Sequence, residues 1–410
     1  MEGAKPAPID PALLEPVMKP FPGARTLPAE AYTSAEVLGW EERHFFEASW
    51  VCAGRAVDLS NPGDQRALRV GREGILLVRG DDARLRGFYN VCRHRGHELL
   101  ECGASRNQRG IKCPYHAWVY GLEGDLRAAP RFGDVPGFEK ADYPLIEARV
   151  VEWNGWVFVN ASGDATDFLD HIGNLGMAVD PYTPEGLVLG ASHEYEVQAN
   201  WKIVVENYLE CYHCSSIHPE LCHVSPPESD KGYPEPPAGV WVGGPMDLRD
   251  HAETMSLTGE SKGVPIPGLP EELRRDVGYA AVLPNILISP HPDYVMTHRL
   301  EPLSTNRTWI ECQWLFPPEA WEREGFSPDY AAEFWDITNR EDWLACESVQ
   351  RSVEGRGYRQ GPMSTWEAGV WEEMLIVARS YLEGRLLPLS AGERRKAHAT
   401  LVRGEVPADA

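Results

Sequence analysis

Between residues 44 and 160, apolar positions come in short runs closed off by turn residues. Gly74–Arg79 is such a run, bounded by glycines, and Arg86–Val91 is another. Ile111–Tyr120 and the segment from Leu126 flank the turn Leu122-Glu123-Gly124-Asp125, and the β-prone string Gly155–Asn160 closes the set. Short runs rich in β-branched and aromatic residues predict an all-β domain. Beyond Asn160 the pattern changes. Residues 161–190 are loop-like or weakly helical, His193–Ala199 alternates as a strand does, and a helix begins at Asn200, whose side chain suits an N-cap. Residues 225–275 are rich in proline and glycine without a period, which predicts long loops over a site. Strands are expected again at Tyr279–Ser289, Tyr294–Pro302 and Thr308–Phe316, then helices over residues 329–353 and 366–386. The expected fold is α+β: an N-terminal segment at 1–43, an all-β domain at 44–160, and an α+β domain at 161–410 into which the β domain is inserted.

Composition narrows the classes. A chain of 410 residues is too long for one ordinary core, so about two domains are expected. Lys and Arg total 39 against 62 Asp and Glu, a formal charge of −23 that leaves no basic footprint for nucleic acid or an anionic membrane. No stretch approaches the ~20 apolar residues of a membrane span. The proline-rich start, Met1–Gly23, lacks the apolar core of a signal peptide. The nine cysteines do not form a disulfide framework. Cys92 and Cys113 have another use, described next. Cys52, Cys102, Cys211, Cys214, Cys222, Cys312 and Cys346 are scattered and expected to be reduced. The expected compartment is cytoplasmic.

The strongest chemical signal is a pair of mixed motifs, Cys92-Arg93-His94 and Cys113-Pro114-Tyr115-His116. Each brings one thiolate and one imidazole, so both sulfurs can go to one iron and both imidazoles to another. That is the ligand set of a Rieske [2Fe–2S] centre. A zinc site is the alternative for the same four residues, but structural zinc sites usually pair cysteine with cysteine and histidine with histidine. His97 has no slot in the set and reads as a polar loop residue.

A second metal signal follows. Asn200–His213 reads as one helix on which Asn207, Glu210 and His213 share a face. His218 lies five residues beyond His213, and five helical steps rotate a side chain by roughly 140°. The helix must therefore loosen or end around 214–216, as Pro219 suggests. Two histidines near a helix end, with a carboxylate from elsewhere, make the facial triad of non-haem Fe(II) oxygenases. A lone His-x4-His pair is more often a pair of surface or capping histidines. Beside a cluster that needs an electron acceptor, the metal reading gains weight.

Together the motifs Cys92-x-His94, Cys113-x2-His116, Asn200-Trp201-Lys202 through Glu206-Asn207-Tyr208, and Glu210-x2-His213-x4-His218 resemble the large (alpha) subunit of the Rieske non-haem iron oxygenases. The resemblance runs over nearly the whole chain. It implies that Cys92, His94, Cys113 and His116 hold the cluster and that His213 and His218 bind iron. Glu210 then matches the acid that bridges cluster and iron. The stretch Asn339-Arg340-Glu341-Asp342…Cys346-Glu347-x-Val349-Gln350 places the third iron ligand at Asp342, with Asp336, Glu341 and Glu347 as competitors. It also implies a Rieske domain joined to a helix-grip catalytic domain, packing of the first ~40 residues with the catalytic domain, and a homotrimer or a multiple of trimers. The electron path would run from His116 of one subunit through Glu210 of the next to its His213. Electrons would come from NAD(P)H through a flavin and iron–sulfur reductase or a ferredoxin, and O2 would be the co-substrate.

The Cys-Tyr-His-Cys context, Glu210, the Glu341-Asp342 stretch and Tyr358–Pro362 look most like the glycine betaine, choline and carnitine monooxygenase branch. The small-molecule substrate expected from it carries a quaternary ammonium group, which aromatic faces bind by cation–π attraction. Candidate pocket aromatics are Tyr233, Trp241, Tyr294, Trp314 and Trp366, although tryptophans on strands and helices usually fill cores. The expected reaction is hydroxylation or oxidative N-demethylation. Hydroxylation of an aromatic ring or aromatic acid is the alternative. A Rieske electron carrier, with residues 161–410 as a docking module, is the reading from another class.

Overall fold

The computed structural model describes residues 5–229, 231–390 and 394, so the outer ends of the expected 1–43 and 161–410 segments lie outside the described residues. The chain divides into two compact units, Glu42–Phe168 and the combination of Met1–Glu41 with Leu169–Ala410.

In the Glu42–Phe168 unit, strands β1 (Val51–Arg55), β2 (Asp64–Val70), β3 (Glu73–Arg79), β4 (Leu85–Tyr89) and β5 (Ser105–Asn107) belong to the main sheet. The short strands β6 (Ile111–Lys112), β7 (Val119–Tyr120) and β8 (Leu126–Ala128) make a separate sheet, and β9 (Glu147–Trp153) and β10 (Trp156–Asn160) return to the first. The larger sheet runs β1-β10-β9-β4-β3-β2-β5 and the smaller β6-β7-β8. The apolar run Ile75–Val78 is buried on both faces, as a central strand requires. The expected 122–125 turn joins β7 to β8. Gly124 sits there at φ +90°, where a Cβ would meet the Phe88 ring at 2.6 Å, so both backbone and space demand glycine. Leu76, Val78, Phe88, Ile111, Trp118 and Tyr120 pack with Cys92 and Cys113, which puts both sulfurs inside the hydrophobic core.

The other unit is built on an antiparallel sheet ordered β11-β18-β17-β16-β15-β12. Its strands are β11 (Val188–Val197), β12 (Trp241–Val242), β15 (Ala280–Val282), β16 (Ile286–Pro290), β17 (Val295–Ser304) and β18 (Arg307–Phe316), and β13 (Pro245–Asp247) pairs with β14 (Asp276–Gly278) beside it. The single strand expected at 279–289 is two, because the chain turns at 283–285, where Pro284 has no N–H to give a ladder. Five helices matter for the site: α1 (Trp201–Tyr208), α2 (Cys214–Ile217), α3 (Pro219–Val224), α4 (Asp329–Val353) and α5 (Ala368–Glu383). Asn200 caps α1 as expected, its side chain accepting from Lys202 N–H at 3.1 Å. A buried ion pair anchors α1: Lys202 Nζ lies 2.7 Å from Glu41 Oε1, both side chains fully enclosed, and Trp201 Nε1 donates to Glu41 Oε2 at 3.0 Å. The early segment is tied to this unit through Tyr32, whose hydroxyl donates to Glu206 Oε1 at 2.8 Å.

One local expectation fails. The helix does not continue to His213 but stops at Tyr208. The Glu210 carboxylate explains the break: it accepts from the backbone N–H groups of Tyr212 and His213, competing with helical bonds. Asn207, Glu210 and His213 therefore do not share one helix face.

Candidate functional site

The two Cys/His loops are built alike. Cys92 N–H donates to His97 O and Gly96 N–H to Cys92 O, at 2.8 and 3.0 Å; Cys113 N–H donates to Trp118 O and Ala117 N–H to Cys113 O, at 2.8 and 3.1 Å. The turn in each loop uses a left-handed residue, Gly96 at φ +74° and Ala117 at φ +59°. The His94 and His116 rings come within 4.5 Å, centroid to centroid, and Trp118 stacks on His94 at 4.9 Å. His94 Nδ1 is buried with no hydrogen-bond partner, as a nitrogen reserved for a metal would be. Burial, helped by His116 and Arg95, holds the His94 pKa below the usual histidine range, which keeps the imidazole neutral as a ligand must be. Tyr120 accepts from Arg93 N–H at 3.0 Å, so its own proton can go to Cys92 Sγ at 3.3 Å. Two buried sulfurs and two neighbouring imidazoles fit a [2Fe–2S] cluster with mixed ligands. His97, as expected, takes no part: it is exposed and its Nδ1 meets Glu98 O at 2.6 Å.

The second group forms where α1 breaks. His213 immediately precedes α2, and His218 sits between α2 and α3, so the chain turns between them and the rings converge at 5.1 Å. Asp342 comes from α4 to meet both: its Oδ1 is 2.8 Å from His218 Nε2 and 3.3 Å from His213 Nε2. One donor atom from each of His213, His218 and Asp342 lies within 4.8 Å of the others, which fits one metal ion. The remaining nitrogens face carboxylates, His213 Nδ1 at 2.5 Å from Glu210 Oε1 and His218 Nδ1 at 2.7 Å from Glu341 Oε2. Burial alone would lower the His213 pKa, but hydrogen bonds to Asp342 and Glu210 overcome it and lift the value to about 10. The other acids go elsewhere. Asp336 accepts from Tyr195 at 2.6 Å and pairs with Arg340, and Glu347 accepts from Gln198 N–H at 3.1 Å.

The cysteines here depart from the reduced expectation. Cys211 and Cys214 are joined in a disulfide that brackets Tyr212 and His213. Their Cα atoms lie 4.9 Å apart, within bonding range.

The metal-fit residues line a cavity of about 850 Å³, counting its open mouth. Its aromatic walls are Tyr208, Tyr279 and Trp335, with Leu209, Leu221, Val242 and Met246 between them. The Tyr208 and Tyr279 rings meet edge to face at 5.5 Å and form a corner. No lysine or arginine is among the described residues that line it, whereas Glu210, Asp342 and Glu372 are.

The pocket aromatics expected from the sequence are not these. Trp241, Tyr294 and Trp314 are fully buried, the Tyr233 hydroxyl lies 3.4 Å from Tyr279 O, and Trp366 is an exposed neighbour of Tyr212. Core packing claimed the large rings. One of them acts indirectly: Tyr294 accepts from Trp335 Nε1 at 2.8 Å and so orients a wall residue. The missed wall residue Trp335 had a readable signal. It lies seven residues before Asp342, with Thr338 between, on one face of α4.

Two family profiles match the chain: "Rieske [2Fe-2S] domain" over residues 49–139 and "Ring hydroxylating alpha subunit (catalytic domain)" over residues 184–383. The carnitine monooxygenase oxygenase subunit of Escherichia coli (strain K12) is 41% identical over 198 residues, 48% of this chain and 53% of the relative. This match thus spans about half the length of that curated relative. The glycine betaine monooxygenase oxygenase subunit of Chromohalobacter salexigens is 28% identical over 376 residues, 85% of this chain and 84% of the relative. A solved quaternary ammonium Rieske monooxygenase, described for carnitine oxidation and inter-subunit electron transfer, superposes with a TM-score of 0.74 at 28% identity. That match covers 92% of this chain and 100% of the relative. Among the described residues, no helix is long and apolar enough to cross a membrane.

Proposed function

Because the chain belongs to the Rieske oxygenase alpha subunits, we propose that it is the terminal oxygenase of a system that oxidises a small quaternary ammonium compound such as glycine betaine. The observation that carries this reading is the convergence of His213, His218 and Asp342 on the wall of an aromatic-cornered cavity. When bound, the Rieske cluster holds one electron at a time and the non-haem iron binds and reduces O2.

In this reading Cys92 and Cys113 give thiolates to one iron of the cluster, and His94 and His116 give imidazoles to the other. His213 and His218 would present Nε2 to the mononuclear iron, and Asp342 would supply the hard oxygen donor. Glu210 fixes the His213 ring through Nδ1 and would be the acid between cluster and iron. His116 of a neighbouring subunit would be the donor side of that bridge, which calls for a homotrimer. The resemblance of the whole chain to a relative described for inter-subunit electron transfer supports this. Tyr208, Tyr279 and Trp335 offer aromatic faces to a trimethylammonium head. The apolar walls also limit water around the three converging ligands, which would suppress side reactions there. A reductase drawing on NAD(P)H supplies the electrons, in the cytoplasm.

Aromatic hydroxylation is the second reading, favoured by the ring-hydroxylating description of the catalytic profile. A substrate screen with a surrogate reductase separates the two. Substrate-dependent O2 and NAD(P)H consumption is expected with betaines. Consumption with aromatic acids and none with any betaine would overturn the ammonium assignment. Iron content addresses the carrier reading: two irons per chain would leave only electron transfer, whereas an oxygenase holds three.

A further inference from the structure

We infer that Glu341 is a positioning residue of the iron site, holding His218 by the ring nitrogen that faces away from the metal. The inference rests on the reading above, in which His218 binds iron through Nε2. The two nitrogens of His218 have different partners. Nε2 lies 2.8 Å from Asp342 Oδ1, and Nδ1 lies 2.7 Å from Glu341 Oε2. Consecutive residues of α4 therefore grip one imidazole from both sides. Neighbours on a helix point roughly 100° apart, so a Glu–Asp pair can straddle a ring that enters between them.

The arrangement suits one tautomer of a metal-bound ring. With a metal on Nε2, the ring's proton can sit only on Nδ1, and Glu341, which accepts only, fits that tautomer. The His218 side chain is 1% exposed, so protein groups surround its ring. His213 has the same device in Glu210, at 2.5 Å. The two carboxylates differ in setting, since the Glu341 side chain is 30% exposed and that of Glu210 14%. Glu341 is not itself a donor to the metal: the group whose atoms converge is His213, His218 and Asp342 without it. A carboxylate behind a metal-bound histidine fixes the ring and makes it a better donor, and its loss typically weakens metal binding by about 10–100-fold. The plain alternative is a surface glutamate that merely happens to meet His218.

Metal affinity decides between these. The full chain, cluster intact and mononuclear iron removed by a chelator, is titrated anaerobically with Fe(II). Glu341→Ala is expected to bind Fe(II) about 10–100-fold more weakly, with an unchanged Rieske spectrum. Glu341→Gln, which keeps an oxygen for Nδ1–H but not the charge, should fall between. His218→Ala/Glu341→Ala should be no worse than His218→Ala, because Glu341 acts only through that ring. Parent-like affinity in Glu341→Ala would overturn the inference, and so would additive losses in the double variant. If the alanine variant does not fold, parent-like affinity in Glu341→Gln does the same. Parent-like affinity in His218→Ala would instead remove the ligand assignment beneath, and the inference with it.

Discussion

The four residues proposed to hold the cluster come from two neighbouring loops, and each loop closes on its own backbone. At the iron site, His218 meets an aspartate 124 residues away, and its other nitrogen meets a glutamate 123 residues away. The first centre is held by local turns whose cysteines sink into an apolar core. The second depends on a broken helix, a long helix from the other end of the unit, and buried charges such as Lys202 with Glu41. Local turns can form once their strands do. The iron site needs most of its unit in place first.

The largest expected effects follow from that independence. Asp342→Ala should lose the mononuclear iron and all turnover yet keep the Rieske spectrum, and His116→Ala should do the reverse, losing the cluster while the other site still binds Fe(II). Metal analysis with reduced-state EPR on both variants is the check. Loss of both centres in either one would mean that the two units do not hold their metals separately.

The same contrast explains what the sequence could reveal. The Rieske domain is legible because Cys92-x-His94 and Cys113-x2-His116 are local motifs whose spacing itself suggests the chemistry. The strands around them are legible because their apolar runs are short and bounded. The span of α4 was equally plain from its periodicity, but its chemistry was not. Nothing in Glu341-Asp342 says which acid meets which nitrogen, because that depends on where His218 enters. The α1 break was missed because Glu210 read as a helical residue, while its carboxylate caps the following backbone. Tyr233, Trp241, Tyr294, Trp314 and Trp366 do not line the cavity, because residue type does not distinguish a wall from a core.

A middle-sized effect probes the buried charges. Lys202→Met leaves Glu41 enclosed without its cation and should cost about 3–5 kcal/mol. The loss should appear as a lower unfolding midpoint and early release of mononuclear iron, with the cluster absorbance persisting. Lys202→Met/Glu41→Gln should recover part of it, since no charge is then stranded. An unchanged midpoint in Lys202→Met would show that α1 does not depend on this pair.

The smallest effect tests how self-contained the cluster loops are. Gly96 and Ala117 occupy equivalent left-handed positions, at φ +74° and +59°. A Cβ added at Gly96 meets nothing within 4 Å, so only backbone strain opposes a side chain there. That strain is roughly 1–2 kcal/mol for an L-residue, a cost the second loop already carries at Ala117. Gly96→Ala should therefore lower stability by about 1 kcal/mol and leave the Rieske spectrum intact. Ala117→Gly should gain less than the same amount, because glycine also adds freedom to the unfolded chain. Chemical unfolding followed by cluster absorbance measures both. If Gly96→Ala abolished the cluster, the turn would be doing more than closing its loop, and the contrast between a locally held centre and a globally held one would fail at its simpler end.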